Sequence, residues 1–519
     1  MFITMTDLIL FNANIITLDP GFEKARSVAV LDCKIEAVAG DDALKELRQR
    51  DTQLIDCGGK TLLPGFCDTH FHLHSSAANR VTLDLSSQAD LLSISDIQAK
   101  IRECSEKLAP GTWIRASGYN ESSLIEGRHP TRWDLDKAAP KHPVKLAHQS
   151  RHAHVLNSLA LDHVGISKYT PDPSGGLIDR SLNAGEPNGV LFEMNDFLSK
   201  RIPPLDEREL NRGIMLINQE LLSMGITSIH DASSHNDIKQ WKALSVLKEK
   251  NKFTPRATVM LGLQGFKNLG KCDFSGPTSK DQLRLSAVKL IIDATTGQLH
   301  PSQSELNELV LDIHRAGLQV AIHAVEELAV ESACSAIEYA LEKLPKSDHR
   351  HRIEHCSICS LSLAKRIAAL GIMVVTQPSF IYYNGDRYLK TVANHEIQNL
   401  YPSNTLLKAG VSVAGSSDSP IVPPNPLMGI YAAVSRKTKS GKTISAKERI
   451  LPLIALGLYT NNAAKATFDE SRKGSITPGK FADMVLLNGD PTRLPADEIK
   501  DLVVEMTFLD GKIVSIKET

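Results

Sequence analysis

The chain is 519 residues long, 42% hydrophobic and 23% charged, with a formal net charge of -1 and a sequence pI of about 7.0. That balance is globular and leaves no basic footprint for nucleic acid. No apolar run approaches the roughly 20 residues that span a bilayer, so no membrane partner is expected, and the length suits a large barrel with an accessory domain.

Residues 1–18 are apolar but lack a basic n-region and carry Asp7 and Asn12, so they read as a strand and not as a signal peptide. The eight cysteines (33, 57, 67, 104, 272, 334, 356 and 359) show no framework spacing, and Cys356-Ser357-Ile358-Cys359 has no second pair to complete a zinc site. Reduced thiols in a cytoplasmic protein are expected. Short strands punctuated by turn residues follow at 8–11, 14–18, 27–31, 34–38 and 53–56. The same texture returns at 473–476, 482–487, 503–508 and 512–516. Neither end has many strands, so residues 1–61 plus 466–519 read as one composite β-sandwich that closes around the middle of the chain.

The middle, residues 62–465, opens on Thr61-Leu62-Leu63 leading into Pro64-Gly65-Phe66-Cys67-Asp68-Thr69-His70-Phe71-His72. Residues i and i+2 of a strand share a side, so the imidazoles of His70 and His72 converge on a point that a divalent metal would fill. From about 88 to 202 the pattern is loop-rich, with Gly175, Gly176, Gly185 and Gly189, and reads as an inserted α/β segment capping the barrel. Its polar clusters around Tyr119 and His152 make those two residues candidate substrate contacts. From Glu207 onward helices alternate with apolar strands at 225–231, 256–261, 286–293, 319–323, 351–355, 373–378 and 411–418. With the 62–70 strand this makes about eight, the count of a TIM-like (β/α)8 barrel in an α/β fold.

Three of these strands end on polar groups. His323 ends Val320-Ala321-Ile322, His355 ends Arg352-Ile353-Glu354, and Asp418 ends Ala414-Gly415-Ser416-Ser417. Function in a barrel sits at strand C-termini. The bland readings are hydrogen-bonded core histidines and a helix N-cap. Lys289 lies inside the apolar strand Leu285-Ser286-Ala287-Val288-Lys289-Leu290-Ile291-Ile292. Burial would lower its pKa and free the amine, while a lysine reaching along the strand to water is the other reading.

Taken together and in this order, the Pro64–His72 stretch, the Lys289 strand, His323, Arg352-Ile353-Glu354-His355 and Gly415-Ser416-Ser417-Asp418 resemble the metal-dependent amidohydrolase superfamily. Trp113 with Gly118-Tyr119-Asn120-Glu121, residues 152–157, Asn188-Gly189-Val190-Leu191-Phe192-Glu193, Gly225-Ile226-Thr227-Ser228 and the tail at 474–484 resemble its YtcJ-like branch. That branch is the amidohydrolase 3 family, which includes N-substituted formamide deformylases. The resemblance implies a barrel with a composite sandwich and a divalent metal, zinc first, as one or two ions. It implies metal ligands at His70, His72, Lys289, His323, His355 and Asp418, with Lys289 carboxylated if it bridges two ions. The implied reaction is hydrolysis of a non-peptide carbon–nitrogen bond, amide or formamide-like, of a small molecule by metal-activated hydroxide, with Asp418 as the catalytic proton carrier. A mononuclear deacylase or isomerase, and a catalytically silent scaffold, are the alternatives, and a homodimer stays open. Residues 292–297 and Val325-Glu326 depart from the family's usual Asp-Gly and Gly-Asp.

Overall fold

The computed structural model describes residues 6–22, 25–40, 44–86, 91–173, 175–182, 184–270, 281–292 and 299–517. Cys272, the unusual stretch 293–297 and the expected start of the insertion at 88 lie outside these residues.

Eight parallel strands make the central sheet: β1 (Phe66–Phe71), β2 (Ile226–Asp231), β3 (Arg256–Leu261), β4 (Leu283–Ile291), β5 (Gln319–Ala324), β6 (Arg352–His355), β7 (Met373–Thr376) and β8 (Val413–Gly415). They neighbour one another in sequence order, and every pair is parallel. Most of their residues are buried, as in a parallel sheet covered by helices. The first and last strands meet through Thr69 Oγ1 donating to Gly415 O (2.8 Å), the Asp418 N–H to His70 O (2.9 Å) and the His72 N–H to Ser419 O (3.1 Å). The barrel is thus nearly closed, and the closing bonds hold the backbone that carries His70, His72 and Asp418.

The intervening helices follow local rules. Gln303–Arg315 opens on a Ser302/Glu305 capping box and buries Leu306, Val310 and Ile313. It stops where Gly317 takes φ +77° and Leu318 N–H bonds back to Ile313 O (3.2 Å). This returns the chain to β5.

Two further sheets share one apolar cluster. The four-stranded sheet runs Lys34–Ala39, Ser27–Leu31, Leu8–Phe11, Gln53–Asp56. The five-stranded sheet runs Asn14–Ile15, Thr61–Pro64, Met484–Leu487, Val504–Leu509, Lys512–Ile516, so strands from both ends of the chain pair directly. Leu10, Val28, Ile35, Leu62, Met484 and Phe508 pack between them.

Three local expectations change. The single strand read over 62–70 is two: Thr61–Pro64 belongs to the five-stranded sheet and β1 to the barrel, with Gly65 between. A Cβ on Gly65 would lie 2.3 Å from Thr227 Oγ1, so the crossing point needs glycine. Residues 473–476 form no strand; Ile476 instead makes one backbone bond to Thr17 O (2.9 Å). The 411–418 strand shortens to β8, because Asp418 turns to φ +58°.

Residues 74–217 form a separate compact unit. Its six-stranded sheet runs Leu177–Arg180, Pro187–Phe192, Ala153–Leu156, Val144–His148, Ile114–Tyr119, Leu83–Asp84. Ile97 and Ile101 of helix Ile94–Glu106 and Leu135 of helix Arg132–Ala138 share an apolar cluster with Ile114, Leu146 and Val155 of the sheet. Among the described residues no helix is long and apolar enough to cross a membrane.

Candidate metal centre

His70, near the end of β1, is fully buried. Its Nδ1 meets Glu354 Oε2 from β6, and Glu354 accepts from Arg352 Nε and, at 3.0 Å, from Arg352 Nη2. Arg352 Nη2 also donates to Thr69 O (2.7 Å) on β1. A carboxylate on Nδ1 keeps the proton there and turns the Nε2 lone pair outward. That Nε2 lies 3.5 Å from Asp418 Oδ1 and 3.4 Å from Lys289 Nζ. His72 Nε2 lies 3.0 Å from the same Asp418 oxygen, and its Nδ1 lies 3.3 Å from Ser233 Oγ. The ligand atoms of His70, His72 and Asp418 all fall within 4.8 Å of one another.

His355 and His323 stand next in the ring. The His355 imidazole is 4.8 Å from that of His70 and 4.4 Å from that of His323, centroid to centroid. His355 Nδ1 sits 2.9 Å from Gln377 Oε1, while Gln377 Nε2 donates to Ser416 Oγ (3.0 Å). The backbone is strained where these groups are presented: His355 has φ +74°, Cys356 +48° and Asp418 +58°. Asp68 braces the Asp418 turn, accepting from the Ser417 N–H (3.1 Å) and Ser417 Oγ, and Ser417 Oγ accepts the Ser419 N–H (2.9 Å).

Burial sets the protonation states. It pushes His70 down to about 3, with Lys289 adding to the effect, and lowers His323 and His355 as well. It brings the Lys289 ammonium down to about 8 against the opposing pull of Glu354 and Asp418. Burial opposes the charge on Asp418, yet the His72 hydrogen bond and the neighbouring imidazoles hold its carboxyl well below the usual range. Neutral imidazoles and an ionised carboxylate are the donor set of a divalent transition metal. The residues therefore fit a metal, with His70 pre-oriented by Glu354.

The six candidate ligands come from the C-terminal parts of four strands, β1, β4, β5 and β6, and from the turn after β8. Tyr119 and His152 lie in the 74–217 unit. Tyr119 is buried in its apolar cluster with its hydroxyl 2.8 Å from His129 Nδ1, and His152 is exposed beside Glu193 (2.8 Å). Sequence reading did not single out Glu354, Arg352, Gln377 or Asp68. Glu354 and Arg352 did leave a signal, a charged i, i+2 pair directly before His355 in a strand that supplies a candidate ligand. Cys356 and Cys359 are buried free thiols.

The comparisons with known proteins agree with this geometry. Over its full length the chain is similar to the N-substituted formamide deformylase of Arthrobacter pascens, at 30% identity covering 98% of each protein. It is 29% identical to the putative amidohydrolase YtcJ of Bacillus subtilis (strain 168), covering 95% of this chain and 96% of that one. An uncharacterized metal-dependent hydrolase of Pyrococcus furiosus superposes with a TM-score of 0.73 at 25% identity, covering 94% of this chain and 100% of the other. The description that matches residues 53–515 is that of the amidohydrolase family. With a nearly closed barrel, two imidazoles and a carboxylate at its strand ends, and this match over most of its length, the chain belongs to the amidohydrolase family.

Proposed function

We propose that this amidohydrolase is a zinc enzyme that hydrolyses a non-peptide carbon–nitrogen bond of a small molecule, with an N-substituted formamide as the first substrate class to test. The convergence of His70 Nε2 and His72 Nε2 on Asp418 Oδ1, at 3.5 and 3.0 Å, carries the reading. The full-length similarity to a formamide deformylase supports the substrate class. A metal held there supplies Lewis acidity, making water nucleophilic near neutral pH and polarising a carbonyl. Asp418, ionised and shared between two imidazoles, takes the proton of the attacking water and delivers it to the departing nitrogen. Glu354 keeps His70 in the tautomer that presents Nε2.

Lys289 decides the nuclearity. As a free amine beside His70 Nε2 it leaves a mononuclear site. As a carbamate, formed when its nitrogen bonds to carbon dioxide and loses a proton, it would offer two oxygens, and His323 and His355 would help hold a second ion. Metal-to-protein ratios of the wild type and Lys289→Ala separate these forms: a bridged pair requires the variant to lose one or both ions. Formate release from N-substituted formamides, compared with hydrolysis of N-acyl amines and cyclic amides, tests the reaction. The expected result is hydrolysis that a chelator abolishes and zinc restores. A fully metallated protein inert toward all three classes would sink the proposal.

A further inference from the structure

The 74–217 unit carries a concentration of positive charge that the metal centre does not use. Strands Ile114–Tyr119, Val144–His148 and Ala153–Leu156 alternate between two faces. Ile114, Ala116, Val144, Leu146 and Val155 point into the apolar cluster against the helices. The other face is mixed, with Leu156 in a second apolar cluster and several cationic side chains beside it. Arg115 and Lys145 are direct register partners on it. His154 pairs with Ala147, two residues along from Lys145, and so shares that face. Arg151, in the turn between the second and third of these strands, donates to Asn79 Oδ1 (2.6 Å), which also accepts Ser117 Oγ.

The charges do not balance. Among the described residues no carboxylate forms an ion pair with Lys145, Arg151 or Arg115. Glu209 acts on Arg115 through its field, and Arg115 Nη2 donates to Pro203 O (2.6 Å). Lys145 is weakened by burial and then by Arg151 and Arg115, and sits at about 8. His154 is 2% exposed and donates from Nε2 to Asn195 Oδ1 (2.7 Å). Like charges gathered in a partly desolvated place repel and would be replaced or paired unless something negative visits. Among the described residues no acceptor takes a hydrogen bond from the Lys145 ammonium either, a second sign of a missing ligand.

We infer that the polar side chains of Arg115, Lys145 and Arg151 form a binding site for a small oxyanion, a carboxylate or phosphate group. Arginine and lysine supply charge-assisted hydrogen bonds of the kind that fix such groups. Asn79 and Ser117 hold the cationic side of the cradle in place. The site has no residue in common with the metal cluster and does not rest on the carbon–nitrogen hydrolase reading.

Titration calorimetry of the full chain at pH 7 with sodium phosphate, and separately with sodium acetate, at matched ionic strength, tests it. Saturable binding by either anion is expected, and which of the two binds more tightly identifies the source chemistry. Lys145→Met and Arg151→Gln should each weaken binding by about tenfold or more. Lys145→Met should also melt at or above the wild-type temperature without anion, since it removes an unpaired cation, and lose the anion-dependent rise that mass action gives the wild type. His72→Ala should bind the anion as the wild type does, which separates this site from anion capture at the metal. No saturable binding of either anion, undiminished binding in both cation variants, or loss of binding in His72→Ala would overturn the inference.

Discussion

Glu354 contributes no ligand atom of its own, yet it sets which nitrogen of His70 is available. It is completely buried, held by Arg352 from the same strand face, and Arg352 in turn bonds the carbonyl one residue before His70. Burial alone would raise the Glu354 carboxyl, but Arg352 and His70 hold it well below the ordinary range, so it stays ionised. Outer carboxylates of this kind typically matter by about 10–100-fold in metal affinity. Glu354→Ala should therefore weaken zinc binding by about that factor in a chelator-competition titration. It should also destabilise the apoprotein by about 3–5 kcal/mol, because Arg352 is left buried without its partner. An affinity within twofold of wild type would assign Glu354 to stability alone. At this scale the sequence exposed the groups that end strands, since a histidine or aspartate after an apolar run is conspicuous. It hid the groups that orient them. Gln377, just past β7, and Asp68, inside β1, look ordinary until the barrel closes and brings Ser416 and Ser417 of the final turn against them.

Between elements, close approach decides where chains cross. At Gly65 the chain passes from the five-stranded sheet into β1, and an added Cβ would press on Thr227 Oγ1, Cγ2 and Cβ at 2.3, 2.5 and 2.9 Å. Thr227 is β-branched and fixed inside β2, so it has little freedom to withdraw. Gly65→Ala should cost about 1–3 kcal/mol in denaturant unfolding. Thr227→Ala should recover part of that in the double variant, with a coupling of about 0.5 kcal/mol or more. Purely additive variants would place the strain elsewhere. A second element-scale feature lies at the starts of β5 to β7. His351 Nδ1 accepts the Val320 N–H (3.0 Å), and His351 Nε2 meets His314 Nδ1 (2.9 Å). His349 Nδ1 accepts the His351 N–H (2.9 Å), and its Nε2 meets Leu370 O (2.8 Å). These bonds require neutral rings. Burial keeps His351 well below its ordinary value, with His349 adding to it, and lowers His349 too. The unfolded chain then binds more protons than the folded one below the unfolded-state histidine pKa of about 6.5. Stability is fully present above that pH and is lost as the pH falls through it. In chelator-treated protein, so that metal release does not contribute, the melting temperature should drop between pH 7 and pH 5, with a shallower drop in His351→Gln. A flat wild-type profile would contradict the linkage.

Across the whole chain, the alternation of helices and apolar strands made the eight-stranded barrel legible, because parallel strands buried on both faces are near-continuous hydrophobic runs. The 74–217 unit was harder to read. Its strands are short and half polar, one face feeding an apolar cluster and the other bearing Arg115, Lys145 and His154, so the segment looked like glycine-punctuated loop. The terminal strands were readable as β and as halves of one sandwich, but not in which strand pairs with which, since nothing in the sequence ties Thr61–Pro64 to a strand more than 400 residues away. That pairing has a consequence for integrity. Met484–Leu487, Val504–Leu509 and Lys512–Ile516 are three of the five strands in their sheet, and Met484, Leu486 and Phe508 fill the cluster shared with Leu10, Val28 and Ile35. The tail also reaches the barrel. Asp483 accepts from Arg256 Nε (2.7 Å) and Nη2 (3.0 Å), and Asp510 takes Gln282 Nε2 (2.9 Å) and Arg256. Deleting residues 474–519 would open the shared cluster, strip Thr61–Pro64 of an edge partner and leave Arg256 buried without a counter-charge. The truncated chain should be insoluble. Asp483→Ala, which takes one of two carboxylates from Arg256 and removes no strand, should stay soluble, retain its metal and lose about 1–3 kcal/mol of stability, because Asp510 still pairs the guanidinium. Solubility fractionation, metal content and melting curves of the two variants side by side make the check. A soluble, cooperatively melting truncation would mean that the N-terminal strands and the barrel fold without the tail, and that the two ends do not depend on a common core.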